Sequence, residues 1–90
     1  MEGAGKDIVA NVEAAPDAQA PYEQLYQLHY PRVVRLCRVL LADAHEADDV
    51  AQEVFLRLWQ ALQTETRAVA WPPWLTRVTV NACRDRRRSG

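Results

Sequence analysis

The chain has 90 residues, 49% of them hydrophobic and only three of them glycine, with a net charge of -1. That length suffices for one domain around one modest core, and the composition suits a helical globule better than a strand-rich fold. It contains no apolar run of about 18 residues, so no membrane span, and no basic-then-apolar leader, so a cytoplasmic location is expected. The small net charge hides an asymmetry: up to Tyr30 five acids face Lys6 alone, whereas from Arg77 onward five arginines face Asp85 alone. A basic end suits a polyanionic partner and an acidic stretch suits a basic or polar protein surface.

Residues 1–20 (MEGAGKDIVANVEAAPDAQA) are rich in Ala, Gly and acid without a sustained period, and read as a flexible acidic extension with a short helical turn at DIVANVEA. The first firm helix is expected from Pro21 to about Ala42. Tyr22, Leu25, Tyr26, His29, Val33, Leu36, Cys37 and Leu40 repeat at amphipathic spacing. Pro21 suits a first helical position, and Pro31 predicts a kink rather than a break, because the apolar register continues through it. Arg32, Arg35 and Arg38 fall away from the stripe.

A second helix is expected to open at Asp43, an N-cap with Glu46 three residues on in a capping-box pattern, and to run to Leu62 or Gln63. Its stripe is Val50, Ala51, Val54, Phe55, Leu58 and Leu62, which leaves Leu56 and Trp59 off the core side among Asp49, Gln52, Glu53 and Gln60. QTETRAVAWPP then reads as a connection of roughly ten residues, long for a helix pair. The third helix is expected from Pro73, with Trp74, Leu75, Val78 and Ala82 inward and Arg77, Asn81, Arg84 and Arg88 along one basic face.

Two constellations carry function. Leu56 and Trp59, ringed by carboxylates and amides, form a patch with an apolar centre and a polar rim, the pattern of a docking surface; burial of Trp59 beneath a neighbouring segment is the alternative. The last helix and the loop before it offer arginines for phosphates, Trp71 and Trp74 for stacking, and Asn81 for a base edge. Trp74 reads better as a core anchor. No catalytic arrangement is visible: Ser89 is the only serine, no nucleophile adjoins a histidine, and there is no glycine-rich phosphate loop or HExxH, so an enzyme is not expected. Cys37 and Cys83 make no disulfide framework, and with His29 and His45 they lack ligand-like spacing, so neither metal nor cofactor is expected.

Three runs, YEQLYQLHYPRVVRLCRVLL, AHEADDVAQEVFLRLW and WLTRVTVNACRDRRR, together resemble region two of the extracytoplasmic-function (ECF) sigma factors of bacterial RNA polymerase. The D-x-x-QE-x-F-x-x-x-W and WL-x-R-x-x-x-N-x-x-x-D-x-x-R patterns carry most of the likeness, which covers residues 21–88. The resemblance implies an all-α, compact bundle of three main helices with a long loop before the last. It implies that one surface binds the clamp helices of the polymerase β′ subunit, with Asp49, Gln52, Glu53, Leu56 and Trp59 as candidates. Another surface would capture unstacked non-template bases of the promoter minus-ten element, with Arg67, Trp71, Arg77, Asn81, Arg84 and Arg88 as candidates. The alternative is a module held by an anti-sigma-type regulator without touching DNA. A free monomer is expected. Trp71-Pro72-Pro73 stands where the family more often has a Phe and small polar residues, and Thr76 where an aromatic is common. The family's second domain, which reads the minus-thirty-five element, has no counterpart here, so residues 89–90 are expected to begin a linker in a longer factor.

Overall fold

Three helices account for nearly all of residues 14–89, the part of the chain that the computed structural model describes, with side chains described for residues 20–88. They are α1 (Ala14–Leu41), α2 (Ala44–Thr64) and α3 (Trp71–Ser89), so the fold is an all-α bundle, as expected. Most of the DIVANVEA segment and the expected linker residue Gly90 lie outside the described residues.

The helix starts differ from expectation for identifiable reasons. α1 is already helical at Ala14, the first described residue, so residues 14–20 of the expected extension are helical. The alanine-rich AAPDAQA has high helix propensity. Pro21 and Pro31 therefore both lie inside α1, and the helix continues through each. Pro31 and Gln27 are exposed, so the Gln27 carbonyl that loses its helical partner faces water. α3 begins at Trp71, two residues earlier than expected, with the Trp74 N–H donating to the Ala70 carbonyl at 3.2 Å. Pro72 and Pro73 both fit into its first turn, whose N–H groups have no intrahelical acceptor in any case. The connection is thus residues 65–70, shorter than the roughly ten predicted.

α1 meets α2 through two residues. The Ala42 N–H donates to the Arg38 carbonyl at 3.0 Å while Ala42 takes φ 60°, a left-handed turn that ends α1. Asp43 then caps α2, its Oδ1 accepting from the Glu46 N–H at 3.0 Å. Glu46 does not complete a simple capping box, because its carboxylate is turned to Arg86 on α3. A Cβ is costly at φ 60°, where glycine is at ease. Ala42→Gly is accordingly expected to raise stability by about 1 kcal/mol, read as a higher urea midpoint at unchanged slope.

The core gathers around α2. Ala47, Val50, Ala51, Val54, Phe55 and Leu58 are buried against Val33 and Cys37 of α1 and Leu75, Ala82 and Cys83 of α3. The expected α2 stripe is correct, with Leu62 partly rather than fully buried and Ala47 added. In α1 the stripe is shifted from expectation: Tyr30, Val34 and Leu41 pack on the core, whereas Leu36 is only half-buried outside the core cluster and Tyr26 remains 36% exposed. In α3 the inward side is rotated toward Leu75, Thr79, Ala82 and Cys83, with Trp74 and Val78 at its margin. Thr79 is fully buried, and its hydroxyl donates to the Leu75 carbonyl at 2.6 Å, so this buried donor is met. Cys37 and Cys83 are buried side by side. Burial, with Cys83 adjacent, pushes the Cys37 thiol up to about 12, so it serves as a small apolar core residue.

Candidate functional site

The outer side of α2 presents Leu56 at 56% exposure, with Asp49 and Gln52 also exposed. Glu53 is half-buried, accepting from Arg57 Nη2 at 2.7 Å and lying 4.0 Å from Arg86 Nη2. Trp59 is half-buried too. Its indole meets the Tyr22 ring edge-on, with centroids 5.2 Å apart and planes at 77°. Between α1 and α2 an open groove of about 650 Å³ is lined by Tyr22, Glu23, Gln52, Glu53, Leu56 and Trp59. Four of the five residues expected on the docking patch therefore line one groove, and Asp49 lies on the same outer side of α2.

Tyr22 and Glu23 were not among the expected site residues. Its spacing places Tyr22 on the core stripe of α1, yet it sits at the end of that stripe and is only half-buried. It also touches Phe55, with centroids 6.5 Å apart, so one ring supports both the core and the groove wall. Burial, then the neighbouring Tyr26, raises the Tyr22 phenol above its ordinary value, so it remains a neutral wall.

The basic side is built mainly on α3. Arg77, Asn81, Arg84 and Arg88 are all exposed and fall on one face, as their spacing predicts. Arg86 points the other way and clasps α2 through Glu46 and Glu53, a structural use that its place in an arginine run concealed. Trp71 opens α3 instead of standing in the loop. It is half-buried and meets Trp74 edge-on at 5.2 Å, so the two indoles pack on each other and against the core. Arg67 stands apart from this face. Its Nε and Nη2 donate to Glu65 at 3.1 and 3.3 Å, and its backbone N–H donates to Glu65 Oε1 at 3.0 Å. On α1, Arg32 Nη1 donates to the Thr76 hydroxyl at 3.0 Å, a contact between residues 44 apart in the chain.

The Glu65–Arg67 clasp sets a pH response for the loop. Arg67, through its side-chain bonds first, holds the Glu65 carboxyl at about 2 instead of 4.5. A carboxyl with a depressed folded-state value contributes stability above its unfolded value, and that contribution is lost as pH falls through the folded one. The clasp is therefore expected to loosen between pH 4.5 and about 2. A carboxyl NMR titration should place the Glu65 midpoint near 2 and return it toward 4.5 in Arg67→Ala.

Among the described residues no group of three His, Cys, Asp or Glu side chains is placed to hold a metal ion, and no helix is long and apolar enough to cross a membrane. The family described as Sigma-70 region 2 matches residues 25–90. The chain is 33% identical over 76 residues to the probable RNA polymerase sigma factor RfaY of Xanthomonas campestris pv. campestris, covering 84% of this chain and 19% of that protein. It is 32% identical over 75 residues to the RNA polymerase sigma factor NccH of Alcaligenes xylosoxydans xylosoxydans, covering 83% and 40% respectively. To the ECF RNA polymerase sigma factor SigM of Mycobacterium tuberculosis it is 33% identical over 67 residues, covering 74% and 34%. The chain thus spans between 19% and 40% of the length of these relatives. No solved structure matches it significantly.

Proposed function

The chain belongs to the Sigma-70 region 2 family, as the region-two domain of an ECF sigma factor, and from that premise we propose a transcription initiation domain with two working surfaces. The α2 groove docks on the β′ clamp helices of RNA polymerase. The α3 face holds the non-template strand of the minus-ten element as the duplex opens, with Asn81 reading a base edge between arginines that bind phosphates.

The observation that carries this reading is the separation of the two chemistries by helix. α2 offers an exposed Leu56 within a groove whose rim bears Glu23, Gln52 and Glu53, while α3 offers exposed arginines around Asn81. A groove with an apolar centre and acidic rim suits a helical partner that brings an apolar side chain and basic neighbours. An arginine-lined face suits a nucleic-acid backbone. Unstacking a base costs a few kcal/mol, which stacking and hydrogen bonds at the receiving surface must offset. The half-buried Trp71 and Trp74 sit at the start of α3, where such a base would arrive.

The test is the salt dependence of single-strand binding. Phosphate contacts from Arg77, Arg84 and Arg88 contribute about -2 to the slope of log affinity against log salt. Fluorescence anisotropy with a labelled single strand, between about 50 and 200 mM salt, reads it directly. Affinity without salt dependence, or no binding, would leave the anti-sigma-type interaction module as the better account.

A further inference from the structure

α1 belongs to the core by its inner side, but its outer side has a charge pattern that the two proposed surfaces do not use. From Gln24 to Ala42 there is no acid, and the segment carries Arg32, Arg35 and Arg38. From Trp71 to Arg84 there is no acid either. The acids of the ordered bundle are concentrated on α2, at Glu46, Asp48, Asp49 and Glu53.

The arginines of the bundle differ in their partners. Arg38, Arg57, Arg67 and Arg86 each lie within ion-pair distance of a carboxylate, so part of their charge is compensated within the fold. Arg32 instead rests on a neutral hydroxyl, Thr76 Oγ1, at 3.0 Å. That hydroxyl is itself fixed, because it donates to the Pro72 carbonyl at 3.3 Å while it accepts from Arg32. Among the described residues Arg32 makes no ion pair, so the guanidinium is positioned through one of its five N–H donors with its charge uncompensated by them. Arg32 is exposed, and its anchor Thr76 precedes Arg77 on α3.

We infer that α1 forms part of the nucleic-acid surface: Arg32, anchored by Thr76 across the α1–α3 seam, binds a phosphate of the same single strand that the α3 arginines hold. Resting on the nucleic-acid reading above, this extends the surface from one helix to two. A pre-positioned guanidinium loses less side-chain freedom on binding than one swinging free in solvent, so the Thr76 anchor favours the contact. Arg32 meets backbone and not bases, so its contribution is the same for any sequence.

The test uses the 90-residue chain and a labelled mixed-sequence DNA single strand, with Arg32→Ala, Arg32→Lys and Arg84→Ala. One single-strand phosphate contact changes the salt slope by about 0.7, which is about fivefold in affinity at 0.1 M salt relative to 1 M. Arg32→Ala is expected to weaken binding about fivefold and flatten the slope by about 0.7, with circular dichroism and binding to a clamp-helix fragment unchanged. Arg32→Lys should keep the slope. Wild-type slope and affinity in Arg32→Ala, while Arg84→Ala loses both, would overturn the inference and reduce the Arg32–Thr76 bond to an interhelical tie. Absence of salt-dependent binding by the wild type would instead overturn the nucleic-acid reading itself.

Discussion

Leu56→Arg is expected to weaken binding to a β′ clamp-helix fragment by about a hundredfold, because truncating or charging the centre of a docking groove costs about 2–4 kcal/mol. Leu56 is 56% exposed and lines the groove with Gln52, Glu53 and Trp59. An arginine there would require an apolar partner side chain to face a desolvated charge, while the fold would lose almost nothing. Circular dichroism and the urea midpoint should therefore match the wild type. Calorimetric titration of both proteins against the fragment separates the outcomes, and near-wild-type affinity in a folded Leu56→Arg would remove Leu56 from the interface.

Phe55→Ala, one residue away, is expected to do the reverse. Phe55 is 1% exposed and meets three tyrosine rings of α1, with centroids 6.5, 5.1 and 5.4 Å from Tyr22, Tyr26 and Tyr30. Emptying such a site costs about 3–5 kcal/mol. A domain of this size has a total stability of only about 4–12 kcal/mol. The variant should be largely unfolded or melt near ambient temperature, by thermal circular dichroism, whereas Phe55→Leu should stay folded at a smaller cost. A cooperative, near-wild-type melt of Phe55→Ala would contradict the placement of this ring at the centre of the α1–α2 contact. Neighbouring residues with opposite phenotypes, one losing a partner and the other the fold, follow from the 100° step between them on α2.

That step is also why so much of α2 was legible from its sequence. Apolar and polar residues alternate on it with a clean helical period, so the core stripe and the exposed Leu56 both follow from spacing. The chain entry to α1 was not legible in the same way. Pro21 reads as a first-turn residue, yet the alanine-rich stretch before it is helical too, because alanine favours helix and that preference carries the helix through the proline. Pro72 and Pro73 misled for a related reason: a pair of prolines reads as extended chain, yet both fit where a helix needs no N–H. The candidate site was half legible. Groove residues on one helix follow from periodicity, whereas Tyr22 and Glu23 join them only through the packing of α1 on α2, and no local pattern encodes that. The same holds for Arg86 and Arg32. Both sit among arginines with unremarkable spacing, and only the third dimension shows that one clasps α2 while the other rests on Thr76.

The proposed docking groove lies between α1 and α2 and the nucleic-acid surface on α3 with Arg32 at the α1–α3 seam, so no residue is shared and their ligands should not compete. The most direct measurement saturates the chain with the clamp-helix fragment and then titrates it with labelled single-stranded DNA, following anisotropy and complex mass together. The account predicts a ternary complex in which DNA affinity is at least as high as for the chain alone and still falls with salt. Displacement of one ligand by the other would contradict it, because both would then be using a single surface.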